Sequence, residues 1–142
     1  MFRSKSSIYA LLAVFEIAKR HASGEKAGVQ AGHIAEMYGL PAAYAAKVMS
    51  QLARSKVLRS ERGPRGGFRL QRSADQITLM EVIDAVKGLE DAYREAIAAR
   101  ASKGVRRGLA DVFRKATLQI REALNAVTVA EFLRKSSGAA GR

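Results

Sequence analysis

Three arginines, Arg59, Arg62 and Arg65, recur every three residues across a stretch that also holds Gly63, Pro64, Gly66 and Gly67. Guanidinium groups neutralise phosphate or insert into a narrow minor groove of DNA. Glycine lets backbone amides come close to a phosphate where a side chain would intrude. The surrounding segment, Arg54–Arg72, holds seven basic side chains opposed only by Glu61. The 142-residue chain carries 25 Lys and Arg against 13 Asp and Glu, a net charge of +12. The excess is concentrated early, with thirteen basic and five acidic residues in 1–75 against twelve and eight in 76–142. Such a balance favours a polyanionic partner, although basic surfaces also serve solubility. A solvated hairpin tip with incidental arginines is the plain alternative. A nucleotide-binding loop fits poorly, because no Gly-Lys-Ser/Thr closes the glycines and no helix opens after them.

A second group of residues lies upstream. Within 41–55, Tyr44, Val48 and Leu52 form an apolar stripe at i, i+4, i+8. Off that stripe lie Ala42, Ala43, Ala46, Lys47, Ser50, Gln51 and Arg54. Tyr44, Lys47 and Gln51 can hydrogen-bond base edges, and the alanines can touch thymine methyl groups. Tyr44 fits a core position equally well. No catalytic constellation accompanies these residues. Glu81/Asp84 and Glu90/Asp91 lie at solvated helix ends, and Ser60, His33 and Asp75 have no nucleophile motif around them. The chain has no cysteine, which excludes disulfides, thiol catalysis and cysteine-ligated clusters. His21 and His33 lie twelve apart, with no metal-binding spacing. Neither a catalytic site nor a cofactor or metal site is expected.

These side chains need elements to position them. Apolar spacing at Ile8, Leu11, Leu12, Phe15, Ile17 and Ala18 predicts a helix over 7–21, and the Ser-Gly-Glu-Lys-Ala-Gly run at 23–28 predicts a loop. Two short helices over 30–38 and 41–55 follow, joined by Gly39-Leu40-Pro41; glycine suits the left-handed turn past a helix end and proline the start of the next. That is a helix-turn-helix pattern. Residues 57–61 and 68–70 alternate in type around a Gly/Pro turn and predict a β-hairpin. A hairpin placed directly after a helix-turn-helix is a wing. Residues 73–76 read as a polar linker. Thr78 and Glu81 form a capping box for a helix over 79–86 that Gly88 closes. A helix is also expected over 89–101, interrupted at Ser102-Lys103-Gly104.

The longest periodic segment is 105–126, with Leu109, Val112, Phe113, Ala116, Ile120 and Leu124 on one face. A single long helix cannot bury all of its apolar surface in a domain this small. Pairing with its own copy across a two-fold axis is the simplest solution; folding back on its own domain is the alternative. Thr128 caps a closing helix over 129–135. The fold class is therefore mainly α with a small β-hairpin. It comprises a winged helix-turn-helix domain over 1–88, a linker, long dimerisation helix and closing helix over 89–135, and a flexible tail over 136–142. No stretch has the roughly 20 apolar residues of a membrane span, and no small-residue cleavage site follows the apolar part of the first helix. A cytoplasmic location is expected.

Several segments resemble one family, the Rrf-two-type regulators, which include the iron–sulfur cluster assembly regulator, the nitric-oxide-sensitive repressor and the cysteine-metabolism repressor. They are Tyr9-Ala10-Leu11, Ile34-Ala35-Glu36, Leu40-Pro41 with Tyr44, and Leu52 with Val57. Ser60 to Leu70 is similar to the family's wing, S-x-R-G-x-x-G-G-Y/F-x-L. Ile77-Thr78-Leu79 and Val82 to Val86 match the segment after it, and Thr128 to Leu133 resembles the family's closing T-L-x-x-L. The resemblance implies a homodimer joined through the long helix. It places contacts to double-stranded DNA on Ala43, Tyr44, Lys47, Arg62 and the wing glycines, with Ser4 and Lys5 near phosphate. Many members hold an iron–sulfur cluster through three cysteines that this chain lacks. Ala46 stands where the cluster-assembly regulator has an acidic residue, so that member's base preference does not transfer.

The expected function is a sequence-specific transcriptional regulator, in the repressor mode. It would be a homodimer on a palindromic operator, without a cluster, answering to a protein or small-molecule effector or to none. The alternative is a protein-interaction or nonspecific nucleic-acid-binding module that has lost operator reading, which the alanine-rich helix would suit.

Overall fold

The computed structural model describes residues 4–87 and 100–139. Six α-helices and one two-stranded antiparallel sheet occur among them: α1 (Lys5–Ala22), α2 (Ala31–Tyr38), α3 (Ala42–Arg54), β1 (Leu58–Glu61), β2 (Gly67–Leu70), α4 (Leu79–Val86), α5 (Lys103–Asn125) and α6 (Val129–Ala139). The helix expected over 89–101 lies outside the described residues except for its last two positions, as does Gly88.

Helix α1 starts two residues earlier than its apolar spacing predicts. Ser4 is the reason: its Oγ accepts the Ser7 N–H at 3.2 Å and satisfies a donor that the helix start leaves open. Its buried face also differs from the expected one. Ala10, Ala13, Val14, Ile17 and Ala18 are buried, whereas Ile8 is 42% exposed. Small residues let the neighbouring helices approach α1 closely, a signal that side-chain hydrophobicity underweights.

Helix α2 ends as its glycine predicts. Gly39 is left-handed (φ 64°, ψ 37°), the Leu40 N–H bonds the Ala35 carbonyl at 2.8 Å, and the Gly39 N–H bonds Glu36 at 3.4 Å. These two bonds close the carbonyl end and turn the chain into α3. At the end of α3 the same pattern recurs, with Val57 N–H on Leu52 and Lys56 N–H on Ala53, both at 3.0 Å. Here Lys56 holds the left-handed position (φ 61°) without being glycine. The turn drops Val57 and Leu58 into the core and starts the hairpin.

Strands β1 and β2 pair in the register Leu58↔Leu70, Arg59↔Arg69, Ser60↔Phe68, Glu61↔Gly67. Alternation then sorts the faces: Leu58 and Leu70 are buried, while Arg59, Glu61 and Arg69 share the other side. Val29 adds a third strand-like rung, exchanging N–H···O bonds with Phe68 at 3.0 and 2.8 Å.

The polar stretch 73–76 contains a short 3-10 turn at Ala74–Gln76. Helix α4 occupies the predicted range, and its capping box is present: Glu81 N–H donates to Thr78 Oγ1 at 3.2 Å and Thr78 N–H to Glu81 Oε2 at 2.8 Å. Burial opposes ionisation of Glu81, but the Thr78 bonds and Arg72, 3.0 Å away, outweigh it and hold the carboxyl below its ordinary value of 4.5.

The expected interruption at Ser102-Lys103-Gly104 is instead the start of α5. Ser102 caps it by accepting the Val105 N–H at 3.3 Å, so Lys103 and Gly104 lie in the first turn. The closing helix α6 also outruns its expected end at Lys135. Ser136 and Ser137 hydroxyls donate back to the carbonyls of Phe132 and Leu133 at 2.9 and 3.0 Å, which keeps these polar residues in the helix. Residues 140–142 lie outside the described residues.

The core is assembled from α1–α4, the hairpin and the start of α6. Val14, Met49, Leu52, Ile77, Val82, Val86 and Val129 are each essentially inaccessible. Residues 127–129 return beside 77–79 through Leu79 N–H on Val127 (3.0 Å) and Val129 N–H on Ile77 (2.8 Å), and the Phe132 ring stacks on Phe15 at 4.2 Å. Helix α5 leaves this unit, held near its end by a bidentate ion pair from Arg121 to Asp84, both bonds 2.8 Å. No described helix is long and apolar enough to cross a membrane.

Candidate nucleic-acid interface

The sequence candidates fall into three places. On α3, the positions Ala43, Ala46, Lys47, Ser50 and Arg54 recur at three- and four-residue spacing and are all exposed, with Ala42 beside them. Gln51 is half-buried on the flank. Val48, Met49 and Leu52 on the opposite face are buried, so packing of the core fixes which side of α3 looks outward.

Tyr44 is half-buried on the side facing α1. Its ring meets Tyr9 edge-on at 5.7 Å. Lys5 Nζ lies 5.1 Å from the Tyr44 ring centroid and 5.8 Å from that of Tyr9, within range for a cation over an aromatic face. Lys5 and Tyr44 therefore form one cluster where the starts of α1 and α3 meet, with Ser4 capping α1 next to Lys5. Tyr9 belongs to it and was not a sequence candidate. Its signals were its place in the family-like segment Tyr9-Ala10-Leu11 and the i, i+4 spacing from Lys5, neither of which says anything about α3.

In the wing, Glu61 accepts from Arg69 at 2.7 Å and pairs with Arg59 at 3.2 Å, so one carboxylate restrains two guanidiniums. Arg62 and Arg65 are exposed, and among the described residues no carboxylate lies within ion-pair distance of either. They are the tip cations most available to phosphate.

The glycines serve the hairpin's seat as well as its tip. Gly63 is exposed with φ 111° and turns the chain, and its carbonyl accepts the Gly66 N–H at 2.9 Å. Gly66 and Gly67 are buried. A Cβ on Gly67, at φ 125°, would meet the backbone of Val29 and Gly28 at 2.8–2.9 Å; one on Gly28 would meet Gly66 and Gly67 at 2.9 Å. Three backbones thus pack without side chains between them, joined by Gly28 N–H on Arg65 (3.0 Å) and Gln30 Nε2 on Gly66 (3.0 Å). Gly28 and Gln30, which locate the wing, were read only as loop and helix start. Their role depends on a pairing about 40 residues away that no local pattern encodes.

The third place is α5, which buries no residue. Leu109, Val112, Phe113 and Ile120 are 47%, 62%, 59% and 39% exposed, and Val105 is 54% exposed on the same face. Ala116 is exposed between them, whereas Leu124 is half-buried and packs on the core of its own chain.

A helix whose outer face is solvated, entered through a glycine turn and followed at once by a basic hairpin, defines a winged helix-turn-helix. Comparison with known proteins gives the family. The chain belongs to the Rrf2 family, described as iron-dependent transcriptional regulators, whose profile matches residues 3–135. It is 33% identical over 126 residues to the HTH-type transcriptional regulator IscR of Sodalis glossinidius, covering 88% of this chain and 74% of that one. The IscR of Cronobacter sakazakii is 36% identical over 86 residues, covering 61% of this chain and 51% of that one. Among solved structures, T. potens IscR superposes with a TM-score of 0.72 at 24% identity, covering 96% of this chain and 88% of that one. CymR, the global cysteine regulator of B. subtilis, superposes with a TM-score of 0.65 at 24% identity, covering 93% and 95%. The chain is accordingly a DNA-binding transcriptional regulator.

The family's iron does not fit the donors here. The sequence holds no cysteine, and among the described residues no group of three or more His, Asp or Glu side chains is placed to hold a metal.

Proposed function

We propose that this regulator is a cytoplasmic homodimer that recognises a palindromic operator through α3 and the wing, and represses by occupying it, with no iron–sulfur cluster. The observation that carries the proposal is the stripe on α5: a 23-residue helix with no buried residue and five large apolar side chains exposed along one face. Contiguous exposed apolar surface of this kind marks an interaction site, and a second copy supplies an equally apolar partner along the same axis. Two-fold pairing would present two α3 helices to successive major-groove faces, which calls for an inverted repeat. Ser4, Lys5, Ala43, Lys47, Gln51, Arg62 and Arg65 would contact DNA, with Tyr44 steadying Lys5. Without a cluster, any signal enters through a protein or small-molecule effector. An open groove of about 470 Å³ lies beside the wing, lined by His21, Arg59 and Arg72 over Ala18, Ala22 and Leu70, with Arg59 paired to Glu61 and Arg72 to Glu81.

The test is selection of bound sequences from a random duplex pool at about physiological salt, with Arg62→Ala in parallel. The expected result is an inverted-repeat motif, weakened or lost in the variant. Recovery of no motif, with binding that collapses as salt rises, would favour the second reading, a docking or nonspecific module. The alanine-rich face of α3 is the feature that keeps that reading in view.

A further inference from the structure

Position in a winged helix-turn-helix sets α3 against DNA; the composition of its exposed face then limits what it can read there. Six residues of that face are exposed, and three of them, Ala42, Ala43 and Ala46, end in a methyl group. Lys47 donates hydrogen bonds and accepts none. Ser50 is the first outward side chain able to accept, two turns into the helix. Gln51 is half-buried, and Tyr44 is turned toward Tyr9 and Lys5. The exocyclic amino groups that mark adenine and cytosine in the major groove therefore meet no acceptor along the first two turns. What a side-chain methyl can distinguish there is the C5-methyl group of thymine. What a lone ammonium can distinguish is an acceptor-rich edge, guanine O6 and N7 or thymine O4.

We infer that α3 reads thymine by its methyl group, packed on Ala43 and Ala46, with Lys47 donating to a guanine or thymine edge beside them. The inference rests on the sequence-specific reading proposed above and names the chemistry of its half-site. Such a half-site depends on apolar contact more than on hydrogen bonding. Its discrimination per base pair is modest, and the wing and flanking phosphates supply most of the affinity.

The test uses the full chain and the motif recovered by selection. Each thymine is replaced singly by deoxyuridine, which removes the methyl and keeps every hydrogen-bonding group. Separately, each thymine·adenine pair is replaced by cytosine·guanine and by 5-methylcytosine·guanine, which restores the methyl on a different hydrogen-bonding pattern. At the contacted positions uracil should weaken binding about three- to fivefold each, the worth of one buried methyl. 5-Methylcytosine should recover part of what cytosine loses. Ala43→Ser and Ala46→Ser, both at exposed positions, should fold normally and shrink the uracil penalty at their own base pair. A motif in which uracil is neutral everywhere, while cytosine·guanine replacement is costly, would overturn the inference and leave sequence-specific binding intact. So would a motif without thymine opposite α3. A selection that returns no motif would sink the specific reading, and this inference with it.

Discussion

The winged unit and helix α5 follow opposite rules of construction. The unit closes on itself: α1–α4, the hairpin and the start of α6 enclose a core in which Leu52, Val86 and Val129 show no accessible surface. Helix α5 is longer than any of them, yet it holds no fully buried residue and shows Phe113 and Val112 to solvent at 59% and 62%. Hydrophobic residues are present in both, so composition does not separate them. The difference is where the apolar face lies: packed within the chain in the unit, and exposed on α5, where the proposed second copy would cover it. Stability should therefore live in the unit and assembly in the helix, and substitutions should tell the two apart.

The largest expected effect is on the unit. Leu52→Ala removes a fully buried side chain at the junction of α3 and the hairpin and should cost about 2–5 kcal/mol, seen as a lower midpoint in denaturant at unchanged chain concentration. Next comes the pair Val112→Glu and Phe113→Glu on α5. These exposed residues contribute little to the unit, so its midpoint should hold while the chain sediments as a monomer. Operator affinity should then fall on the order of a hundredfold through lost bivalency. An unfolded variant would erase the contrast between the two regions.

Gly66→Ala sharpens the comparison inside the unit. A Cβ there runs into the backbone of Glu61 and Arg62, so the cost should be about 1–3 kcal/mol and should fall on the wing. Hydrogen exchange at 61–70 should rise ahead of exchange in α4. The smallest effect is at Glu81. Its carboxyl is held below 4.5 in the folded chain, so its contribution is present above that value and is lost as pH falls through the lowered one. Its side chain is 39% exposed, which keeps the contribution to about half a kcal/mol or less. Thermal midpoints measured from pH 7 to 3 should decline less in Glu81→Gln than in the parent.

Much of this was legible in the sequence because the signals are local. Gly39, Thr78 with Glu81, and Thr128 each act within a few residues, and the hairpin follows from alternation around Gly63–Gly67. What was not legible depends on distant partners. Ile8 reads as core until Ala10 and Ala13 are seen to make the close contacts. Gly28 reads as loop and Gln30 as a helix start until the wing is docked on them. Tyr44 reads equally well as a base contact or a core residue, and only the approach of Tyr9 and Lys5 places its ring. The wing's cations divide in the same way. Spacing makes Arg59, Arg62 and Arg65 equivalent, whereas strand register gives Arg59 to Glu61 and leaves the other two at the tip.

The most direct test of the central claim is the mass of the complex on the selected operator, measured by sedimentation or native mass spectrometry at matched salt. Two chains per inverted repeat are expected in the parent, and single, weakly held chains in the variant carrying Val112→Glu and Phe113→Glu. One chain per operator in the parent, or two chains that survive the α5 substitutions, would contradict pairing through α5.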